Sequence, residues 1–200
     1  MRTVVFVNDL ASYFPLSQRP RRDETDVTNN WSRHRGSVLL ELAGLLDELP
    51  EFDVAALREG VTIRDAVTEL IWLSETTRIE RWRRKAPTPI EDAALATRLR
   101  SLATDDLAGR SRNVRELGDA VVCALEVGTA TGHPVSIDPV ASGAVALAQG
   151  LSGPIGARAV TRERTLVATD AEWRIGRGPE LEGTAAAIVL YLYGRASLSR

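Results

Sequence analysis

The 200-residue chain is short of cysteine and histidine: it has one cysteine, Cys123, and two histidines, His34 and His133. A lone cysteine excludes an internal disulfide and favours a reducing compartment. Long hydrophobic runs are also missing. The longest, from Ala185 to Tyr193, falls far short of the roughly 20 apolar residues that cross a bilayer. The opening MRTVVFVNDL is broken by Asn8 and Asp9, and Arg21-Arg22 runs into acidic DET, so neither reads as an export signal. Basic excess is absent as well. A net charge of -2 and a pI near 5.8 argue against a dedicated nucleic-acid binder. No glycine-rich phosphate loop, G-x-S-x-G elbow or internal repeat is present. The expectation is a soluble, cytoplasmic protein with neither nucleic acid nor membrane as partner, its oligomeric state left open.

What is present is helical periodicity. After an N-terminal arm of residues 1–30, with Pro15, Pro20 and RPRRDETD, a helix is expected from a cap at Thr28 or Asn29 to Pro50. Its apolar positions are Val38, Leu39, Leu42, Leu45, Leu46 and Leu49. A second helix opens at Thr62 and is expected to run unbroken to Arg84, burying Ile63, Ala66, Val67, Leu70, Ile71 and Ser74. Its last turns, RIERWRRK, put cations at the negative end of the helix dipole and read as a solvated helix end. Trp72 and Trp82 on the same helix are expected to pack. Further helices are expected over 90–103, 114–130 and 138–149.

The glycines and proline from Gly150 to Gly156 suggest a boundary. Beyond it ARAV and TLVAT read as strands flanking a TRER turn, AEWRIG as a third strand, and GRGPELEG as a loop. Thr184 caps a final helix. The fold class is therefore mainly α: a four-helix bundle over 31–150, followed by a small α+β unit (β-β-β-α) over 155–200.

The helix over 114–130 carries the most informative polar residues. Asp119, Cys123 and Glu126 stand at i, i+4 and i+7, on one stripe. Val114, Leu117, Val121, Leu125 and Gly128 make the apolar face, with Glu116, Asp119 and Cys123 nearly opposite. The wheel alone favours a solvent-facing acidic stripe. The flanks Val122, Ala124 and Val127 are apolar too, so the stripe could instead line an internal cavity.

Three segments carry a family resemblance. GVTIRDAVTEL (Gly60 to Leu70) resembles the GWTVRDVVAHL segment of the mycothiol-dependent maleylpyruvate isomerase family, whose fold is the DinB-like four-helix bundle. DAVVCALEVGTATGHPVSIDP is similar to its ELVVHGWDLARATGRPVPLDP. LVATDAEWRIGRGPELEGTAAAIVLYLYGR is similar to its closing ATDADWSVGEGPEVRGPAAALLLWLAGR. The segments occur in the family order and imply coverage from about Trp31 to Arg195. The resemblance implies a divalent metal, typically zinc, held by one histidine from the second helix and a Glu-x-x-x-His pair from the fourth. A thiol cofactor, mycothiol, would bind there as thiolate for isomerase or transferase chemistry on a small electrophile.

The chain departs from that pattern at all three ligand positions, which are Glu69, Asp119 and Cys123. An alternative register pairs Glu116 with Ala120 and lacks the histidines equally. Two readings stand. The site is rebuilt, with Glu69, Asp119 and Cys123 as metal ligands; or it is lost, leaving a non-catalytic scaffold that binds a small molecule or a protein. Three negative charges, and an aspartate one methylene shorter than the glutamate it replaces, favour loss. Arg64 and Arg158 are candidates to bind an anionic substrate.

Overall fold

The computed structural model describes residues 30–84 and 86–198. The arm of residues 1–29, the caps expected at Thr28 and Asn29, and Lys85 lie outside the described residues. Helix α1 (Ser32–Glu48) packs along α4 (Asp92–Leu107) and α5 (Val114–Thr131). Helix α2 (Ile63–Glu75) lies against the same two helices and closes a four-helix bundle. The apolar positions read from the sequence form its core: Leu39, Leu42, Leu46, Ile63, Val67, Ile71, Leu117 and Val121 are all at most 2% exposed.

The ends of these helices are set by their first residues. Thr62 and Asp65 form a capping box on α2, and Asn113 and Glu116 form another on α5. Each satisfies backbone N–H groups that a helix start leaves without partners. The expected unbroken second helix is in fact two. Thr76 adopts an extended conformation after α2, and α3 (Arg78–Arg84) begins anew. Thr77 accepts from the Glu80 N–H, and Glu80 accepts from the Thr77 N–H at 2.8 Å. The TRIE tetrapeptide is thus a third capping box, a start signal inside what periodicity alone reads as one helix. Trp82, expected to pack, is 79% exposed on α3, and Ile79 is 66% exposed.

The C-terminal part departs from expectation in two places. ARAV lies in helix α7 (Ile155–Glu163), which follows α6 (Pro139–Ser152). Ala157, Val160 and Thr161, three and four apart, turn toward the molecule, and the Thr161 hydroxyl donates to the Gly150 carbonyl of α6 at 3.1 Å. A four-residue apolar window cannot separate that period from a strand. GRGPELEG, read as a loop, contributes strand β3 (Glu180–Gly183). It pairs parallel to β1 (Thr165–Ala168), while β2 (Arg174–Gly176) pairs antiparallel on the other side, giving the order β2-β1-β3. Gly176 and Gly178, at φ +97 and +109, let the chain turn between β2 and β3. A Cβ there would stand 2.1 Å from the Arg164 carbonyl oxygen and 2.3 Å from that of Glu163.

Helix α8 (Ala185–Leu192), capped by Thr184 as expected, returns onto α6 and α5. Its Ile188 and Val189 join one buried cluster with Leu166 of the sheet and Val121 and Val145 of the helices. Trp173 covers Gly143 of α6 and donates from Nε1 to the Ser142 hydroxyl at 3.1 Å. Residues of the 31–150 and 155–200 segments therefore share a single core. Among the described residues no helix is long and apolar enough to cross a membrane.

Candidate functional site

Helices α2 and α5 face each other across a cavity of about 90 Å³. Glu69, Asp119 and Cys123 all line it, so the three positions singled out by sequence do converge. The stripe on α5 faces inward, which corrects the solvent-facing reading: Cys123 is 6% and Glu126 1% exposed. Helix α5 is apolar nearly all round because neighbours surround it, and its polar stripe marks the cavity.

The centre of the site is a residue the sequence gave no reason to select. Arg58 lies in the loop before α2, where the Val61 N–H donates to the Arg58 carbonyl and the Ala55–Thr62 bridge ties the loop ends. Its Nη1 donates to Glu69 Oε2 at 2.6 Å, and its Nε to Glu126 Oε1 at 3.1 Å. From the opposite side Arg195, just beyond α8, brings its Nε to 3.7 Å from the same Glu126 oxygen. Burial opposes the Arg58 charge, but the hydrogen bond to Glu69 and the field of Glu126 hold its pKa above the ordinary value. Glu126 was visible as part of the stripe; Arg58, Tyr193 and Arg195 arrive from distant segments with no local signal.

Cys123 is held as a thiol. Its Sγ donates to the Ala66 carbonyl at 3.7 Å, and burial first, then the Glu126 charge, push its pKa up. Zinc and nucleophilic chemistry both require thiolate. Across the cavity, burial and the nearby Asp119 carboxylate push the Tyr193 hydroxyl up to about 12.

The donor set does not fit a zinc centre. A catalytic zinc uses three protein ligands with free lone pairs. Glu69 is engaged by Arg58, the Cys123 Sγ donates to the Ala66 carbonyl, and the Arg58 guanidinium sits between Glu69 and Glu126. Among the described residues no three His, Cys, Asp or Glu side chains form a group able to hold a metal ion.

Asp119 makes no hydrogen bond or ion pair among the described residues, and burial raises its pKa despite the opposing field of Arg115. The folded state therefore binds a proton at Asp119 more tightly than the unfolded chain. The resulting stabilisation is complete below the unfolded value near 3.8 and is lost as pH rises through the folded one. Asp119→Asn is expected to raise the melting temperature at pH 7, with the gain vanishing towards pH 3.5 in parallel melts. An equal gain at both pH values would contradict this account of the carboxyl.

The other sequence candidates lie elsewhere. Arg64 pairs with Asp92 at 2.6 Å and with Asp53 at 2.8 Å on the outside of the bundle. Arg158 lines a separate cleft between α6, α7 and β2. His34 stands 3.9 Å from Asp138, and His133 is exposed in the turn after α5; neither lines the cavity.

Leu73 and Asp119 have a second role as part of the wall of a larger cleft, about 550 Å³, between the end of α2 and the start of α5. Cavity and cleft are thus neighbours across Asp119. Compared with protein families, curated proteins and solved structures, the chain matches none.

Proposed function

We propose that this chain is a cytoplasmic, metal-independent binding protein for a small molecule, built on a bundle of the maleylpyruvate isomerase type whose metal-dependent chemistry has been lost. The observation that carries this reading is Arg58 bridging Glu69 and Glu126 in the cavity. A fixed guanidinium supplies the positive charge that clustered carboxylates need, and it repels a divalent cation at the same place. The cavity, at about 90 Å³, is smaller than the roughly 300–1,000 Å³ of typical ligand pockets. The adjoining cleft is within that range, so the ligand sits in the cleft and reaches the cavity past Asp119.

The test is a zinc titration followed by calorimetry and thermal melts, with EDTA-treated protein as reference. The expected result is no saturable zinc binding and no zinc-dependent rise in melting temperature, in the native chain and in Cys123→Ala alike. Saturable one-to-one binding abolished in Cys123→Ala would overturn the reading.

One observation favours a second reading, a mycothiol-dependent isomerase or transferase with a rebuilt metal site: Glu69, Asp119 and Cys123 share one cavity. That reading requires Arg58 to swing away and Cys123 to lose its proton on metal binding. It predicts release of a proton on addition of zinc, which the calorimetric heats in buffers of different ionisation enthalpy would reveal.

A further inference from the structure

The cleft beside the cavity has a charge pattern of its own. Its walls carry four arginines, Arg81, Arg110, Arg112 and Arg115, against three carboxylates, Glu75, Glu116 and Asp119. Two of the carboxylates are already committed. Glu75 pairs with Arg98 at 3.2 Å. Glu116 accepts from Arg112 at 2.7 Å and from the Asn113 N–H at 3.0 Å.

The arginines are not all committed in return. Among the described residues Arg115 makes no side-chain hydrogen bond or ion pair, and Arg81 donates only to the Leu73 carbonyl, at 2.8 Å. Arg112 is 3% exposed, and its Nη2 has no hydrogen-bond partner although Nε and Nη1 are both paired. A buried guanidinium nitrogen without an acceptor is costly and marks a place where an acceptor is wanting. Planar guanidinium forks match the geometry of carboxylate and phosphate oxygens. At about 550 Å³ the cleft has room for a small molecule rather than a bare ion.

We infer that the cleft between α2 and α5 is an oxyanion subsite, in which Arg81 and Arg115 grip a carboxylate or phosphate group of the ligand while the rest of it extends toward the Asp119 wall and the cavity. This rests on the small-molecule binding reading above and gives it a substrate class: a small organic acid or phosphate ester.

The probes are inorganic phosphate and succinate, titrated by calorimetry into the full chain at low ionic strength, with succinamide as neutral control. At least one anion is expected to bind and succinamide not to. The Arg81→Gln/Arg115→Gln double variant is expected to weaken the anion about tenfold or more while its far-UV circular dichroism remains that of the native chain; the melting temperature falls slightly, because the Arg81 bond to the Leu73 carbonyl and the Arg115 field on Asp119 are lost. Arg158→Gln, in the other cleft, is expected to change nothing. Binding of phosphate alone identifies a phosphorylated ligand, and binding of succinate alone a carboxylic acid. Binding of neither anion, undiminished binding in the double variant, or equal binding of succinamide overturns the inference. None of these outcomes depends on zinc, so failure of the subsite and failure of the metal-independent reading are read separately.

Discussion

Arg35→Met is expected to destabilise the chain by about 3–5 kcal/mol, the usual cost of leaving a buried charge without its partner. Arg35 is 1% exposed, and its guanidinium joins α1 to three other helices. Nη1 donates to Asp106 of α4, Nη2 to the Ser74 hydroxyl of α2, and Nε to the Glu116 carbonyl of α5 at 3.2 Å. Arg112 completes the cluster, pairing with Asp106 at 2.6 Å and Glu116 at 2.7 Å. Removing Arg35 strands Asp106 with one cation and leaves the Ser74 hydroxyl without its donor. For a chain of this length the loss corresponds to a fall of roughly 10 °C or more in melting temperature. Arg35→Lys should fail nearly as badly, since a single ammonium cannot reproduce a planar fork with three partners. A double-mutant cycle with Asp106→Asn should be strongly sub-additive. A change of only a few tenths of a kcal/mol in urea melts would show that the cluster does not hold α1, α2, α4 and α5 together.

Arg58→Met is expected to cost about 2–3 kcal/mol, less than Arg35 because the Arg58 side chain keeps some solvent contact. The damage falls on Glu126, whose side chain is 2% exposed and which would keep only Arg195, at 3.7 Å. The signature is rescue. Glu126→Gln in the Arg58→Met background removes the stranded charge and should recover much of the loss, whereas Glu69→Gln, at a carboxylate that is 42% exposed, should recover little. Equal rescue by both would mean that Arg58 acts by packing rather than by neutralising Glu126.

Most of the bundle could be read from residue spacing. The buried faces of α1 and α2 follow from Leu and Val at helical intervals, and the start of α2 from Thr62 followed by Asp65. What could not be read depends on partners remote in sequence. Strand β3 exists because β1 offers it an edge; its own residues, ELEG, have weak strand preference. Helix α7 owes its place to α6. The break before α3 was legible in principle, because Thr77 and Glu80 have capping-box spacing, but unbroken apolar periodicity hid it.

The same division runs through the site. Spacing alone put Asp119, Cys123 and Glu126 on one stripe. Only the packing of α2, α6 and α8 around α5 decides that this stripe faces a cavity rather than water. Arg58 enters from a loop that folds back between Ala55 and Thr62, 68 residues before its partner Glu126. No local pattern announces such a contact. It nevertheless shapes the chemistry, because it ties Glu69 into an ion-pair network, while burial raises the pKa values of the Cys123 thiol and the Asp119 carboxyl.

The most direct test of this account is the zinc content of the full chain, purified without a chelating tag and measured by elemental analysis after equilibration with zinc and removal of excess. Far less than one zinc per chain is expected, in the native protein and in Cys123→Ala alike. One zinc per native chain, lost in Cys123→Ala, would contradict it and restore the rebuilt metal centre.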